Sequence, residues 1–125
     1  MKARTHNWRK NDAIITLFFH KYGTKGLFVP DETELAVKII GSSVSSLKME
    51  SLNIQELIGI KKGLSHYSKT QKMVVEKYNK KSYDELLYLV NNTILSRYTN
   101  MNKDAYLNYK KELKLMKSKK KQVKL

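Results

Sequence analysis

The chain predicts an all-α fold: a helix-turn-helix three-helix core, then additional helices and a C-terminal helical hairpin. Three observations predict it. Apolar residues recur at helical spacing along the chain, with no convincing run that alternates apolar and polar as a strand would. Gly41-Ser42-Ser43 separates two short segments, the first with an apolar stripe and the second mostly small, polar or cationic. A capping residue followed three positions later by Glu or Gln, the signature of a helix start, occurs at Asp31 with Glu34, Ser68 with Gln71 and Ser82 with Glu85.

In chain order, Trp8, Ile15, Phe18, Phe19 and Tyr22 share one side of a first helix, expected to form the back wall of the core. Gly23 and Gly26 bracket a loop through Val29, and Pro30 leads to Asp31 as the next cap. Leu35, Ala36, Ile39 and Ile40 turn one face of the second helix inward. Gly41 then suits the left-handed conformation that ends a helix, and Ser42 or Ser43 can cap the third. Leu57, Ile58 and Ile60 suggest a further apolar turn before a loop at Lys61, Lys62 and Gly63. Ser68 opens a helix to about Tyr78 with Met73, Val74 and Tyr78 as apolar contacts. Ser82 opens another, carrying Tyr83, Leu86, Leu87, Val90 and Ile94 toward Tyr98. Asn102 caps the last, where Tyr106, Tyr109, Leu113 and Met116 keep a 3-4-3 spacing. The organisation expected is a DNA-binding domain over 7–79, a helical region over 80–117, and a disordered basic tail over 118–125. Tyr88, Leu89 and Leu95 lie off the main stripe of their helix. Two arrangements would cover them: a homodimer through the C-terminal helices, or a hairpin folded back on the first domain.

Charge points to the class of partner. Lys plus Arg number 25 against 11 Asp plus Glu, a net +14 on 125 residues with pI near 9.9, which suits a polyanion. The charge is segregated. Residues 1–10 carry Lys2, Arg4, Arg9 and Lys10 and no acid; residues 61–81 carry seven Lys against Glu76; residues 103–125 carry nine Lys against Asp104 and Glu112. Residues 31–60 run the other way, Lys38 and Lys48 being opposed by Asp31, Glu32, Glu34, Glu50 and Glu56. Phosphate affinity and base reading are thus expected from different parts of the molecule. With no cysteine, disulfides and thiolate metal sites are excluded. The first apolar run is interrupted by Asn11, Asp12 and Thr16, unlike a signal peptide or spanning helix, so a soluble, cytoplasmic protein is expected, with no membrane partner.

No enzymatic chemistry is expected. Only His6, His20 and His66 exist, none with a partner histidine at a workable metal spacing, and neither a phosphate loop nor a nucleophile triad stands out. Asp84 and Glu85 are first-turn acids at a positive helix end. No metal, cofactor or small-molecule ligand is expected.

Leu35, Ala36, Ile40 and Gly41, then Ser45, Ser46, Leu47, Met49, Asn53 and Ile54, and then Gly63, Leu64, Ser68 and Lys69 carry a likeness. From about Trp8 to Tyr78 the chain resembles the helical N-terminal domain of some bacterial and phage HNH homing endonucleases. That resemblance implies a DNA-targeting module, here without the nuclease, of the kind that stands alone as a phage or phage-satellite repressor. Ser51 departs from it, standing where relatives usually carry an apolar residue. The function expected is sequence-specific binding of double-stranded DNA, with repression by promoter occlusion. The alternative is a non-catalytic antagonist or targeting subunit related to a homing endonuclease.

The expected base-reading set is Ser45, Ser46, Lys48, Met49 and Asn53: hydroxyls for a base or phosphate, Asn for adenine, Met for a thymine methyl. Ser42 and Ser43 would present amides to a phosphate. Lys61, Lys62, Lys69 and Lys72 would hold the backbone, with Arg4, Arg9 and Lys10 of the N-terminal arm.

Overall fold

A computed structural model describes residues 8–59, 69–98 and 101–123, with side chains as far as Lys117. The elements are α1 (Lys10–Tyr22), α2 (Glu32–Glu34) running into a π-helical segment (Leu35–Ile40), α3 (Val44–Ile58), α4 (Lys69–Tyr78), α5 (Tyr83–Arg97) and α6 (Lys103–Val123), with no strand among the described residues. The fold is all-α.

α1 is the axle of the molecule. Every residue from Asp12 to Phe18 is buried, because α3, α4 and α5 all pack on it. The expected back wall, apolar on one side only, is therefore a central helix. Its two buried polar residues are satisfied within the protein: the Thr16 hydroxyl donates to the Asp12 carbonyl (2.9 Å), and Asp12, fully buried, accepts from the Arg9 amide (2.9 Å) and pairs with Arg97. A buried carboxylate without a cation would be costly. Arg97 therefore ties the start of α1 to the end of α5, and it also donates to the Ile39 carbonyl (3.2 Å).

The loop between α1 and α2 is held from α5. Asn91, fully buried, accepts from the Phe28 amide (2.9 Å) and donates to the Gly26 carbonyl (3.2 Å), while the Tyr83 hydroxyl donates to the Lys25 carbonyl (3.0 Å). Gly26 sits at φ +84° beneath Tyr83, where a β-carbon would strike the phenol oxygen. Phe28 stacks on Tyr109 of α6 with centroids 4.2 Å apart.

The two regions expected on either side of residue 80 meet in one core: Leu86, Val90 and Ile94 of α5 lie in the same cluster as Ile15 and Phe18 of α1 and Leu47 and Ile54 of α3. The Ser82–Glu85 capping box opens α5, and Asn102 caps α6 through the amides of Asp104 (2.8 Å) and Ala105 (3.3 Å). α6 packs along α5 through Tyr106, Tyr109, Leu113 and Met116. Leu95 is buried, and Tyr88 and Leu89 are half-buried against the chain's own core, so much of the surface that suggested a second copy is covered within the molecule. Three expectations are corrected. α3 continues without a break to Ile58, absorbing the separate apolar turn expected at Leu57 and Ile58. Met73 is 39% exposed, its expected core place in α4 being taken by Val75 and Gln71. The tail expected to be disordered is helical through Val123, continuing α6 where no Gly or Pro interrupts it. The expected loop at Lys61, Lys62 and Gly63 and the cap at Ser68 fall outside the described residues.

Candidate nucleic-acid interface

The helix-turn-helix begins at Asp31, whose side chain accepts from the Glu34 amide (3.0 Å). The helix then widens: the Gly41 amide reaches back five residues to the Ala36 carbonyl (3.0 Å), and the Ser42 amide bonds the same oxygen (2.8 Å). Gly41 closes it at φ +91°, a conformation that penalises any residue with a β-carbon. Ser43 is extended and caps α3, its hydroxyl oxygen accepting from the Ser46 amide (3.1 Å). Two groups at the end of α5 brace this unit from behind: Arg97 on the Ile39 carbonyl, and Tyr98, whose hydroxyl donates to Glu34 (2.9 Å).

α3 buries Leu47 and Ile54, two turns apart, and turns Ser45, Lys48, Met49, Leu52 and Gln55 outward. Those five share one face at helical spacing. Its centre is apolar: Met49 is 63% and Leu52 59% exposed. Lys48 stands beside them, 4.0 Å from Glu32 in a surface pair whose small energy leaves it available to another anion.

Of the residues expected to read bases, Ser45, Lys48 and Met49 thus fall on one exposed face. The Ser43 hydroxyl is committed to the cap, accepting from the Ser46 amide and donating to the Ser46 hydroxyl oxygen (both 3.1 Å), while half-buried Ser46 keeps its own hydroxyl proton. Asn53 lies about a quarter turn away from the outward face, half-buried and already engaged within the protein. Ser42 and Ser51 are half-buried. Leu52 and Gln55 were missed by the sequence reading. Leu52 was legible as an apolar residue off the Leu47–Ile54 line, three positions after Met49.

Gln71, buried, donates to Glu50 and so docks the first turn of α4 against the middle of α3, with Lys69 and Lys72 exposed beside it. Arg9 and Lys10 are exposed at the start of α1. Arg4, Lys61 and Lys62 lie outside the described residues.

His20 is half-buried, and its imidazole is held below its ordinary value, first by burial and then by the charge of Lys21. Among the described residues there is no cluster of His, Asp and Glu suited to a metal, and no helix is long and apolar enough to cross a membrane. No family model, curated protein or solved structure matches the chain.

Proposed function

We propose that the protein binds double-stranded DNA sequence-specifically, with α3 in the major groove, and acts as a repressor by occluding a promoter. The observation that carries this reading is the outward stripe Ser45, Lys48, Met49, Leu52 on a helix capped at its start and packed on α1 and α4, behind a preceding segment that Arg97 and Tyr98 brace. A packed helix offering a hydroxyl, a cation and two apolar side chains suits base edges and thymine methyls, while exposed Lys69, Lys72, Arg9 and Lys10 suit phosphates. The likeness to homing-endonuclease DNA-targeting domains, carried by the motif residues named above, agrees with it. On this reading the protein has no catalytic step.

The test is selection of bound fragments from random and genomic DNA, then affinity measurement on the recovered site and on scrambled duplex. Lys48→Ala, Met49→Ala and Leu52→Ala should each weaken the recovered site more than scrambled DNA, whereas Lys72→Ala should weaken both alike. Failure to recover a site, or equal losses on both DNAs for every variant, would refute sequence reading. The exposed apolar pair Met49 and Leu52 favours a second reading, a protein-interaction antagonist using the same face. That role would show neither a discrete protected site nor steep salt dependence.

A further inference from the structure

Away from the outward face of α3, three elements bring lysines to a single tyrosine. Tyr78, the last residue of α4, is buried, yet its ring has the ammonium groups of Lys10 from α1 at 5.6 Å, Lys77 from α4 at 5.6 Å and Lys81 from the turn before α5 at 5.9 Å from its centre. Lys21 donates to the carbonyl of the next residue, Asn79, at 2.6 Å. The attraction of one ring for a cation is weak at an exposed site, and it does not account for gathering three like charges. Glu85 lies 4.0 Å from Lys81 in a partly exposed pair and takes part in the Ser82 cap, Asp12, two residues from Lys10, is turned inward to Arg97, and among the described residues no carboxylate pairs with Lys10 or Lys77. Lys10 and Lys77 are exposed, so their ammonium groups are open to a ligand.

The donor chemistry is one-sided. An ammonium group carries three donors and no acceptor, so the three lysines offer a ligand only donated hydrogen bonds and positive charge. Three ammonium groups gathered around one ring concentrate positive charge, and a ligand rich in acceptor oxygens and negative charge answers them. We propose that Lys10, Lys77 and Lys81, arrayed around Tyr78, form a binding site for one phosphate group. The potential at the ring agrees: the Tyr78 phenol is held below its ordinary range by the hydrogen bond from Lys10, an effect opposed by burial and reinforced by the charges of Lys10, Lys77 and Lys81. Lys77 and Lys81 add to the phosphate-binding lysines expected from sequence. The phosphate is a nucleic-acid phosphodiester on the reading above, or a free phosphate if that reading fails.

The experiment compares the full chain with a Lys10→Gln/Lys77→Gln/Lys81→Gln variant and with a control that loses the same charge on α6, Lys103→Gln/Lys110→Gln/Lys114→Gln. Affinity for scrambled duplex is measured across a salt series, and binding of inorganic phosphate is followed by phosphorus NMR. The cluster variant should show a logarithmic salt slope shallower by about 1 than wild type, the change that follows when one fewer phosphate is neutralised, while the control keeps the wild-type slope. An unchanged duplex slope with phosphate binding abolished only in the cluster variant would support the site with free phosphate as its ligand. Slope and phosphate binding both unchanged in the cluster variant, or altered equally in the control, would overturn the proposal. Circular dichroism checks folding, and the exposed single substitution Lys77→Gln serves if the triple variant unfolds. Scrambled duplex keeps this test separate from base reading by α3, and the phosphate arm decides alone should no DNA be bound.

Discussion

Substituting Arg97 by Met keeps most of the side-chain stem and removes the guanidinium that joins Asp12 to the Ile39 carbonyl. Asp12 is fully buried, so the variant leaves its carboxylate in the interior without the guanidinium, the Arg9 amide still donating to it. Breaking a buried ion pair by removing one partner costs about 3–5 kcal/mol. The Arg97 side chain retains 20% exposure, which lets some water reach the site and places the expected loss near about 3 kcal/mol. Against a total stability of about 5–15 kcal/mol that is a large fraction. It corresponds to a drop of about 12 °C in Tm at roughly 4 °C per kcal/mol for a chain of this size. Urea unfolding of wild type, Arg97→Met, Asp12→Ala and the double variant closes a cycle. The double variant should lose less than the sum of the singles by about 2 kcal/mol, because an uncharged site leaves nothing stranded. Hydrogen exchange adds a local readout: the Gly41 and Ser42 amides, bonded to Ala36, should exchange faster in Arg97→Met once the end of the π-helical segment loses its brace. A loss below about 0.5 kcal/mol, or strict additivity in the cycle, would refute the assignment of the pair as a tie across the core.

Gly26→Ala should destabilise by about 3 kcal/mol, combining the strain of a positive φ with a clash against Tyr83, while Gly23→Ala, with open space around it, should cost about 1 kcal/mol; thermal melts of the two variants give the ranking. Asn91→Ala leaves the Phe28 amide and Gly26 carbonyl without their partner and should cost about 2–4 kcal/mol, read by urea unfolding at constant m. A chain ending at residue 80 should give no cooperative melt, since it lacks the α5 side chains that complete the core around α1. For His20 the folded pKa lies below 6.5, so the unfolded chain binds the proton more readily and stability should fall as pH drops below that value. His20→Gln should flatten this dependence in urea midpoints measured across the interval.

Local signals carried much of the architecture. The caps at Asp31, Ser43, Ser82 and Asn102 and the left-handed Gly41 each act within a few residues, so a short window of sequence contains the whole interaction. Polar groups inside the core were not legible. Asp12 and Thr16 read as interruptions of an apolar run, yet both are fully buried, because Arg97 waits 85 residues away and no periodicity encodes such a partner. Asn91 was hidden for the same reason, 63 residues from Phe28. The one-sided stripe on α1 underestimated its burial, since a helix enclosed by three others needs small and polar residues as well as large apolar ones where neighbours crowd it. Within the candidate interface, Ser45, Lys48 and Met49 followed from placing α3 correctly. The Ser43 hydroxyl is spent on the cap, a competition between local bonding and ligand binding that residue type alone does not settle.

The wide turn over Leu35–Ile40 amounts to one surplus position in an otherwise ordinary helix. Val37 and Lys38 point to solvent there, so losing either would let the coil tighten while Leu35, Ala36, Ile39 and Ile40 keep their seats. Elsewhere on a helix such an omission swings everything downstream by about a quarter of a revolution. At this place the slack absorbs it, so the following rod keeps its orientation when the chain before it shortens by one residue.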